Sequence, residues 1–208
     1  MSHFTDPEFA QLRPHLWVWH AYDTTVKTEL FSAALAARSG VYVVDPIPLP
    51  EADLGLLTQT GQIAGVIVTN ANHQRTALQF SDRFSAPVLG HPETLAVIKP
   101  SRTDELAGIG TDLETVEIEG AVAGEIALYH RPNGGTLIVG DALINIDPYG
   151  FTFLPSKYCL DQKQMRRSLR KFLSFPVEQI LFAHGTPILS RVGERLRQLL
   201  DSHASGRR

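Results

Sequence analysis

The chain has one cysteine, Cys159, in 208 residues. No internal disulfide can form, so packing alone must hold the fold. A lone thiol fits a reducing compartment. No apolar run approaches the length that spans a bilayer, and the opening "MSHFTDPEFAQLRP" has no apolar signal core. The chain is therefore expected to be cytoplasmic, with no membrane partner. Basic residues are not in excess either: 19 Lys and Arg stand against 22 Asp and Glu, for a formal net charge of −3. A nucleic-acid surface normally needs a basic patch, so no nucleic-acid partner is expected. A G-x-S-x-G elbow is absent. So is the phosphate loop G-x-x-x-x-G-K-[ST], because "RPNGGTLIVG" reads as a hairpin turn.

What is present is an ordinary globular mixture, 43% hydrophobic and 20% charged. The length suits one domain over residues 1–208 and can bury a sizeable core. "LWVWHAY" alternates and reads as a strand, and "VYVVDP" is a buried strand ended by Asp45 and Pro46. "VKTELFSAALAARSG" is ambiguous: its alanines favour helix, yet it could form a hairpin with "VYVVDP". "LPEADLGLLTQTG" and "HQRTALQFSDRF" read as helices around the strand "IAGVIVT", followed by a short strand "APVLG" and a helical turn "ETLAVI". "ETVEIEG" alternates, and "GEIALYH-RPNGG-TLIVGDALI" carries a strong hairpin signal. "DQKQMRRSLRKFLS" is a basic amphipathic helix, "VEQILFAHG" opens as a strand, and "SRVGERLRQLLDSHA" is a last helix with Ser190 as its N-cap. The first few residues and "SHASGRR" are expected to fray.

Four stretches in this order, "VYVVDP", "GVIVTNANHQR", "GTLIVGDAL" and "QILFAHG", resemble the metallo-β-lactamase superfamily. The resemblance implies an α/β fold, a four-layer αββα sandwich of mixed sheets. It also implies that "TELFSAALAARSGVYVVDP" is a hairpin, so that tertiary context overrides the alanines. In that family the strand matching "GVIVT" ends in T-H-x-H-x-D-H, whose histidines and aspartate hold metal ions that make water acidic. Here Thr69 matches the threonine, but Asn70 and Asn72 fall at the two histidines, Gln74 at the aspartate and Arg75 at the last histidine. Ala121 in "GAVAG" falls at the histidine of a G-H-x-x-G loop. Of the ligand set only Asp141 in "GDAL" and His184 in "AHG" remain.

Amide oxygens are poor zinc ligands, and a guanidinium has no lone pair to offer. At ~5 Å and an effective dielectric of ~20, one charge pair is worth roughly 3 kcal/mol, and a divalent ion doubles it. A conventional dinuclear zinc centre is therefore not expected, and neither is any cofactor. Arg75 is instead expected to pair with Asp141, directly or through a water, beside His184. His73 falls between ligand slots and reads first as a helix-start residue pointing elsewhere. The alternative makes it a new ligand, with His73, Asp141 and His184 holding one zinc or iron ion. Asp45 reads as the cap of a turn before Pro46, His91 as loop packing, and Cys159 as a buried inert thiol. His130 and His203 have no chemical case.

Three functions are then in play. The first is a superfamily-fold protein without a hydrolytic metal centre, using Asn70, Asn72, His73, Arg75, Asp141 and His184 to bind a small anionic molecule. The second is an active hydrolase with a rebuilt mononuclear site. The third is an interaction module using the sheet edge or the basic helix, with a homo-oligomer as one outcome of an exposed apolar patch.

Overall fold

The computed structural model describes residues 3–110 and 112–202. The first two residues and the tail from His203, both expected to fray, lie outside the described residues. Among the described residues, β1 (Glu8–Arg13), β2 (Leu16–Asp23), β3 (Thr28–Ala37), β4 (Gly40–Val44), β5 (Ile63–Ile67) and β6 (Val88–Leu89) form one sheet in sequence order. β1 to β4 pair antiparallel, whereas β4, β5 and β6 run parallel. Parallel neighbours need crossovers, and α1 (Glu51–Thr60) and α2 (Ala77–Phe84) supply them. α3 (Pro92–Ile98) follows, capped by His91, whose Nδ1 accepts from Glu93 N at 3.3 Å.

The second half contributes β7 (Leu113–Glu117), β8 (Ile126–His130), β9 (Thr136–Val139), β10 (Leu143–Ile146), β11 (Gly150–Phe153), α4 (Gln162–Leu169), β12 (Gln179–Phe182) and α5 (Val192–Ser202). β12, β9, β8 and β7 form the second sheet in that order, with β12 parallel to β9. β10 and β11 make a separate hairpin.

Period-2 alternation divides the core into layers. On β4, Val41 and Val43 face the layer that holds Leu54 and Leu57 of α1 and Phe80 of α2, while Tyr42 and Val44 face the second sheet. On β9 and β12, Leu137, Val139, Ile180 and Phe182 face α4 and α5, while Ile138 and Leu181 face the first sheet. The stack is therefore helix, sheet, sheet, helix, as the resemblance implied. Each large apolar side chain buried this way contributes about 1.5–3 kcal/mol. Trp19 is fully buried and donates its indole N–H to Ile47 O at 3.2 Å. Its truncation to Ala would cost about 3–5 kcal/mol.

"TELFSAALAA" is a strand, because β3 is bonded along both edges, to β2 and to β4. Ala34 and Ala36 face the helix side and Ala33 the sheet side. Two elements differ from expectation. β1 forms on residues read only as the chain's start. "TLIVGDALI" is also not one strand: β9 ends at Val139, and Leu143 opens the separate β10 hairpin. That break frees Asp141 from the ladder. No helix among the described residues is long and apolar enough to cross a membrane.

Candidate metal centre

The parallel strands β4, β5, β9 and β12 all end at the same edge of the sandwich. Asp45 follows β4, Thr69 to Arg75 follow β5, Asp141 follows β9 and His184 follows β12. Glu125 sits there too, just before the antiparallel β8. The carboxyl ends of parallel strands are the usual place for a site in such sheets. Two backbone bonds tie the sheets together at this edge: Ile126 N to Thr69 O at 2.8 Å and Phe31 N to Ala183 O at 3.0 Å. Gly140 permits the close approach. A Cβ there would lie 2.6 Å from Thr69 Oγ1 and 2.7 Å from Glu125 Oε1.

After Thr69 the chain turns through a short 3₁₀ helix, Ala71–His73, capped by the Asn70 side chain, which accepts from Asn72 N at 2.9 Å. The tight turn swings His73 inward, where it is 3% exposed. Its Nε2 lies 3.3 Å from Asp141 Oδ1 and 3.3 Å from His184 Nε2, and the latter lies 3.3 Å from Asp141 Oδ1. The other ring nitrogen, Nδ1, faces Asp45 Oδ2 at 3.0 Å and Thr69 Oγ1 at 2.8 Å. Thr69 donates to Asp45 from Oγ1 at 2.6 Å and from its backbone N at 2.8 Å. Asp45 thus holds a proton on His73 Nδ1 and turns Nε2 toward Asp141 and His184.

Three potential ligand atoms converge here, His73 Nε2, His184 Nε2 and Asp141 Oδ1, and a proton shared among them is what a bound ion would displace. The centre of a triangle of 3.3 Å sides is about 1.9 Å from each corner, close to the ~2.0–2.2 Å bonds of zinc to imidazole and carboxylate. Two imidazoles and a carboxylate suit zinc or iron. His73, Asp141 and His184 therefore fit a single divalent ion.

The charges in the pocket are interdependent. Burial opposes a charge on His73, but the carboxylates of Asp141 and Asp45 outweigh it and raise its pKa to about 10. Burial also opposes charge on Asp141, yet His73 and the bond from His184 hold it well below the usual carboxylate range. His184 is pushed down, chiefly by burial and then by the charges of His73 and Arg75. Glu125 is pushed up, by burial first and by the Asp141 charge second.

Arg75 does not form the expected direct pair with Asp141. It donates to three backbone carbonyls: Phe31 O at 2.6 Å, Asp45 O at 2.9 Å and Ala183 O at 3.2 Å. Its fork therefore joins both sheets from behind the site, while its backbone sits in the left-handed region at φ 39°. Backbone carbonyls of Phe31 within β3 and of Asp45 and Ala183 just past β4 and β12 take its donors in place of the carboxylate. Asn70 lies in the centre, its Nδ2 donating to Glu125 Oε2 at 2.6 Å and to Asp141 Oδ2 at 3.1 Å. Asn72 is exposed and contributes its backbone N–H. Ala121 is a core residue.

Three other readings are corrected. His73 does not point away; it completes the triangle. Asp45 is no mere turn cap, because it is buried and orients His73. Cys159 is half-buried rather than buried; its Sγ lies 3.5 Å from Leu154 O, and burial raises its pKa. Glu125 was missed altogether. Its signal was an acid opening an otherwise apolar strand, "GEIALYH", where an unpaired charge is costly. On the basic helix, Arg170 pairs with Asp201 at 3.1 Å and Lys171 donates to Glu117 O at 3.1 Å, so that face is partly engaged within the chain.

The sequence profile of the metallo-beta-lactamase superfamily matches residues 10–203. The chain belongs to the metallo-beta-lactamase superfamily. Solved members of this fold superpose over nearly the whole chain. DIM-1 metallo-beta-lactamase gives a TM-score of 0.72 at 13% identity, covering 96% of this chain and 99% of that one. The metallo-beta-lactamase from Erythrobacter litoralis, solved with beta-mercaptoethanol in its active site, gives 0.72 at 17%, covering 96% and 98%. That from Pontibacter korlensis gives 0.69 at 16%, covering 94% and 99%. Identities this low speak for the fold alone. No curated protein matches in sequence. Among the described residues, His73, Asp141 and His184 form the cluster that could hold a metal ion.

Proposed function

We propose that the protein is a metal-dependent hydrolase whose centre holds one divalent ion on His73 Nε2, His184 Nε2 and Asp141 Oδ1. One observation carries this reading: three potential ligand atoms held 3.3 Å apart, with the far nitrogen of His73 fixed by Asp45. Such an ion supplies Lewis acidity and lowers the pKa of water to about 7. The chain's own residues do the rest. Asp45 and Thr69 orient His73 and keep its proton on Nδ1. Arg75 binds the carbonyl of Asp45, which orients His73, and the carbonyl preceding His184, so both positions are anchored from behind. Three protein donors leave room for substrate, as hydrolytic centres require. A carbonyl or phosphoryl ester is the substrate class that this chemistry serves.

Binding of a small anion without turnover is the second reading. It draws on Asn70, a neutral amide where the resemblance implied a ligand. Arg75 weakens it, since its donors are committed to carbonyls. Zinc or iron measured in purified protein, before and after loading, separates the two. The hydrolase reading expects about one ion per chain, lost in His73→Ala and His184→Ala. It also expects hydrolysis of thioester, lactone or phosphoester probes to disappear with the ion. A protein that takes up no zinc or iron would sink it.

A further inference from the structure

Whole-chain charge conceals a segregation. Residues 157–208 hold eleven of the 19 Lys and Arg but only four of the 22 Asp and Glu. Much of that positive charge lies on the outer helix layer. Lys163, Arg167, Arg170 and Lys171 are exposed along α4 and its 3₁₀ continuation (Arg170–Ser174), opposite the buried Met165, Leu169 and Phe172. Arg195 and Arg197 are exposed on α5 in the same layer. The acids there do little to offset this. Glu194 is held by Arg191 at 2.7 Å and Asp201 by Arg170 at 3.1 Å, while Asp161 caps α4 by accepting from Lys163 N and Gln164 N. Lys163, Arg167, Arg195 and Arg197 form no ion pair among the described residues. At the start of α4 this basic stripe meets exposed apolar side chains, Tyr158 at 58% and Leu160 at 73%. Leu160 N donates to Ala121 O at 3.0 Å, and Leu154 N donates to the carbonyl of Ala142, next to Asp141, at 3.2 Å. The apolar corner therefore adjoins the candidate centre.

We propose that the outer face of α4 and α5, with Tyr158 and Leu160 at its corner, is a docking surface for an anionic lipid bilayer. Cations near an anionic leaflet each add to the attraction, and apolar side chains beside them enter the headgroup boundary. A tyrosine is at home at that depth, with its ring toward the acyl chains and its hydroxyl toward water. A lysine stem can lie along the apolar boundary while its ammonium stays at the headgroups. A single-stranded nucleic acid would also answer the charge, but it needs open aromatic faces on which bases stack. Here Lys157 Nζ lies 4.6 Å over the Tyr158 ring, and Leu160 offers no ring at all. The bilayer accounts for the cations and for the apolar corner together. Docking in this pose brings the edge that carries His73, Asp141 and His184 beside the headgroups. The inference is independent of the metal reading.

The test is flotation with vesicles of phosphatidylcholine alone and of phosphatidylcholine with an equal part of phosphatidylserine. Wild type is expected to float with the mixed vesicles, to stay behind with the neutral ones, and to release as salt is raised. Lys163→Ala combined with Arg167→Ala is expected to weaken partition about 25-fold, at about fivefold per charge. Leu160→Ser is expected to weaken it about tenfold. Lys163→Arg combined with Arg167→Lys keeps the charge and is expected to bind as wild type does. Thermal unfolding checks that each variant is folded; if the double alanine variant is not, Leu160→Ser and the two vesicle types still decide. No flotation of wild type, equal flotation on both vesicle types, or full binding by the folded double alanine variant would overturn the proposal. So would a single-stranded oligonucleotide that strips the protein from the vesicles, which would give the face to nucleic acid. A dimer that forms as concentration rises and is lost in the double alanine variant would give it to a second copy of the chain and overturn the proposal equally. Zinc content enters none of these outcomes, so the docking face and the ligand triangle stand or fall separately.

Discussion

The two ends of the paired sheets bury polar side chains in opposite ways. At the carboxyl ends of the parallel strands, Asp45, Thr69, Asn70, His73, Glu125 and Asp141 are all buried, and each has partners within 3.3 Å. At the far end, His130, Thr136 and Gln179 lie in one row across β8, β9 and β12. They share the face of Leu128, Ile138 and Leu181, between the sheets. Yet Thr136 Oγ1 and both amide atoms of Gln179 are buried with no hydrogen-bond partner in the protein. The contrast teaches what marks a site. Burial of polar groups occurs at both ends. Only at one do potential ligand atoms converge on a common point, with Asp45 behind His73 and Asn70 behind Asp141. Unpartnered buried groups cost about 1–3 kcal/mol each, whereas the networked end lowers that cost and gains chemistry.

The largest expected effect sharpens this contrast. Arg75→Ala removes three charged hydrogen bonds at the networked end, and non-additive losses of about 1.5–3 kcal/mol each should sum to about 3–5 kcal/mol of stability by denaturant unfolding. A loss under about 1 kcal/mol would mean that the clamp is dispensable. Next, Asp45→Asn should weaken zinc affinity about 10- to 100-fold in competition titrations, since the His73 orientation is then unsupported. Unchanged affinity would break the claim that this end is organised for a metal.

A smaller effect is expected at the far end. Thr136→Val combined with Gln179→Leu should leave stability within about 1 kcal/mol or raise it, because the groups removed are unpaired. A large loss there would show that the two ends are alike after all. Last comes pH. Burial, and then the charge of His15, lowers the pKa of His130 from 6.5, with Asp112 opposing. The unfolded chain therefore takes up this proton first as pH falls. Its contribution is full above the ordinary histidine range and is lost as pH drops through that range toward the lowered value. His130→Gln should flatten this slope in unfolding measured from pH 7.5 to 5.

Much of the fold was legible from period-2 apolar strands in a fixed order, because each pattern reports which faces are buried. The alanine-rich β3 was not decidable locally, since pairing on both of its edges comes from β2 and β4. β1 was missed because "EFAQLR" is mostly exposed and little apolar patterning marks it. At the site, Asp141 and His184 could be read from "GD" and "AHG". His73 could not, because its inward direction depends on a 3₁₀ turn capped by Asn70, and spacing along an extended chain puts it on the wrong side. Arg75 was misjudged for a related reason. The sequence shows its charge but not the three backbone carbonyls that compete for it.

The triangle draws one corner from the loop after β5 and two from the ends of β9 and β12, so its corners belong to different halves of the molecule. No half-folded intermediate contains all three. Assembly of the sandwich must therefore come before loading, and an ion once seated would rivet the halves together at the seam where Ile126 already meets Thr69.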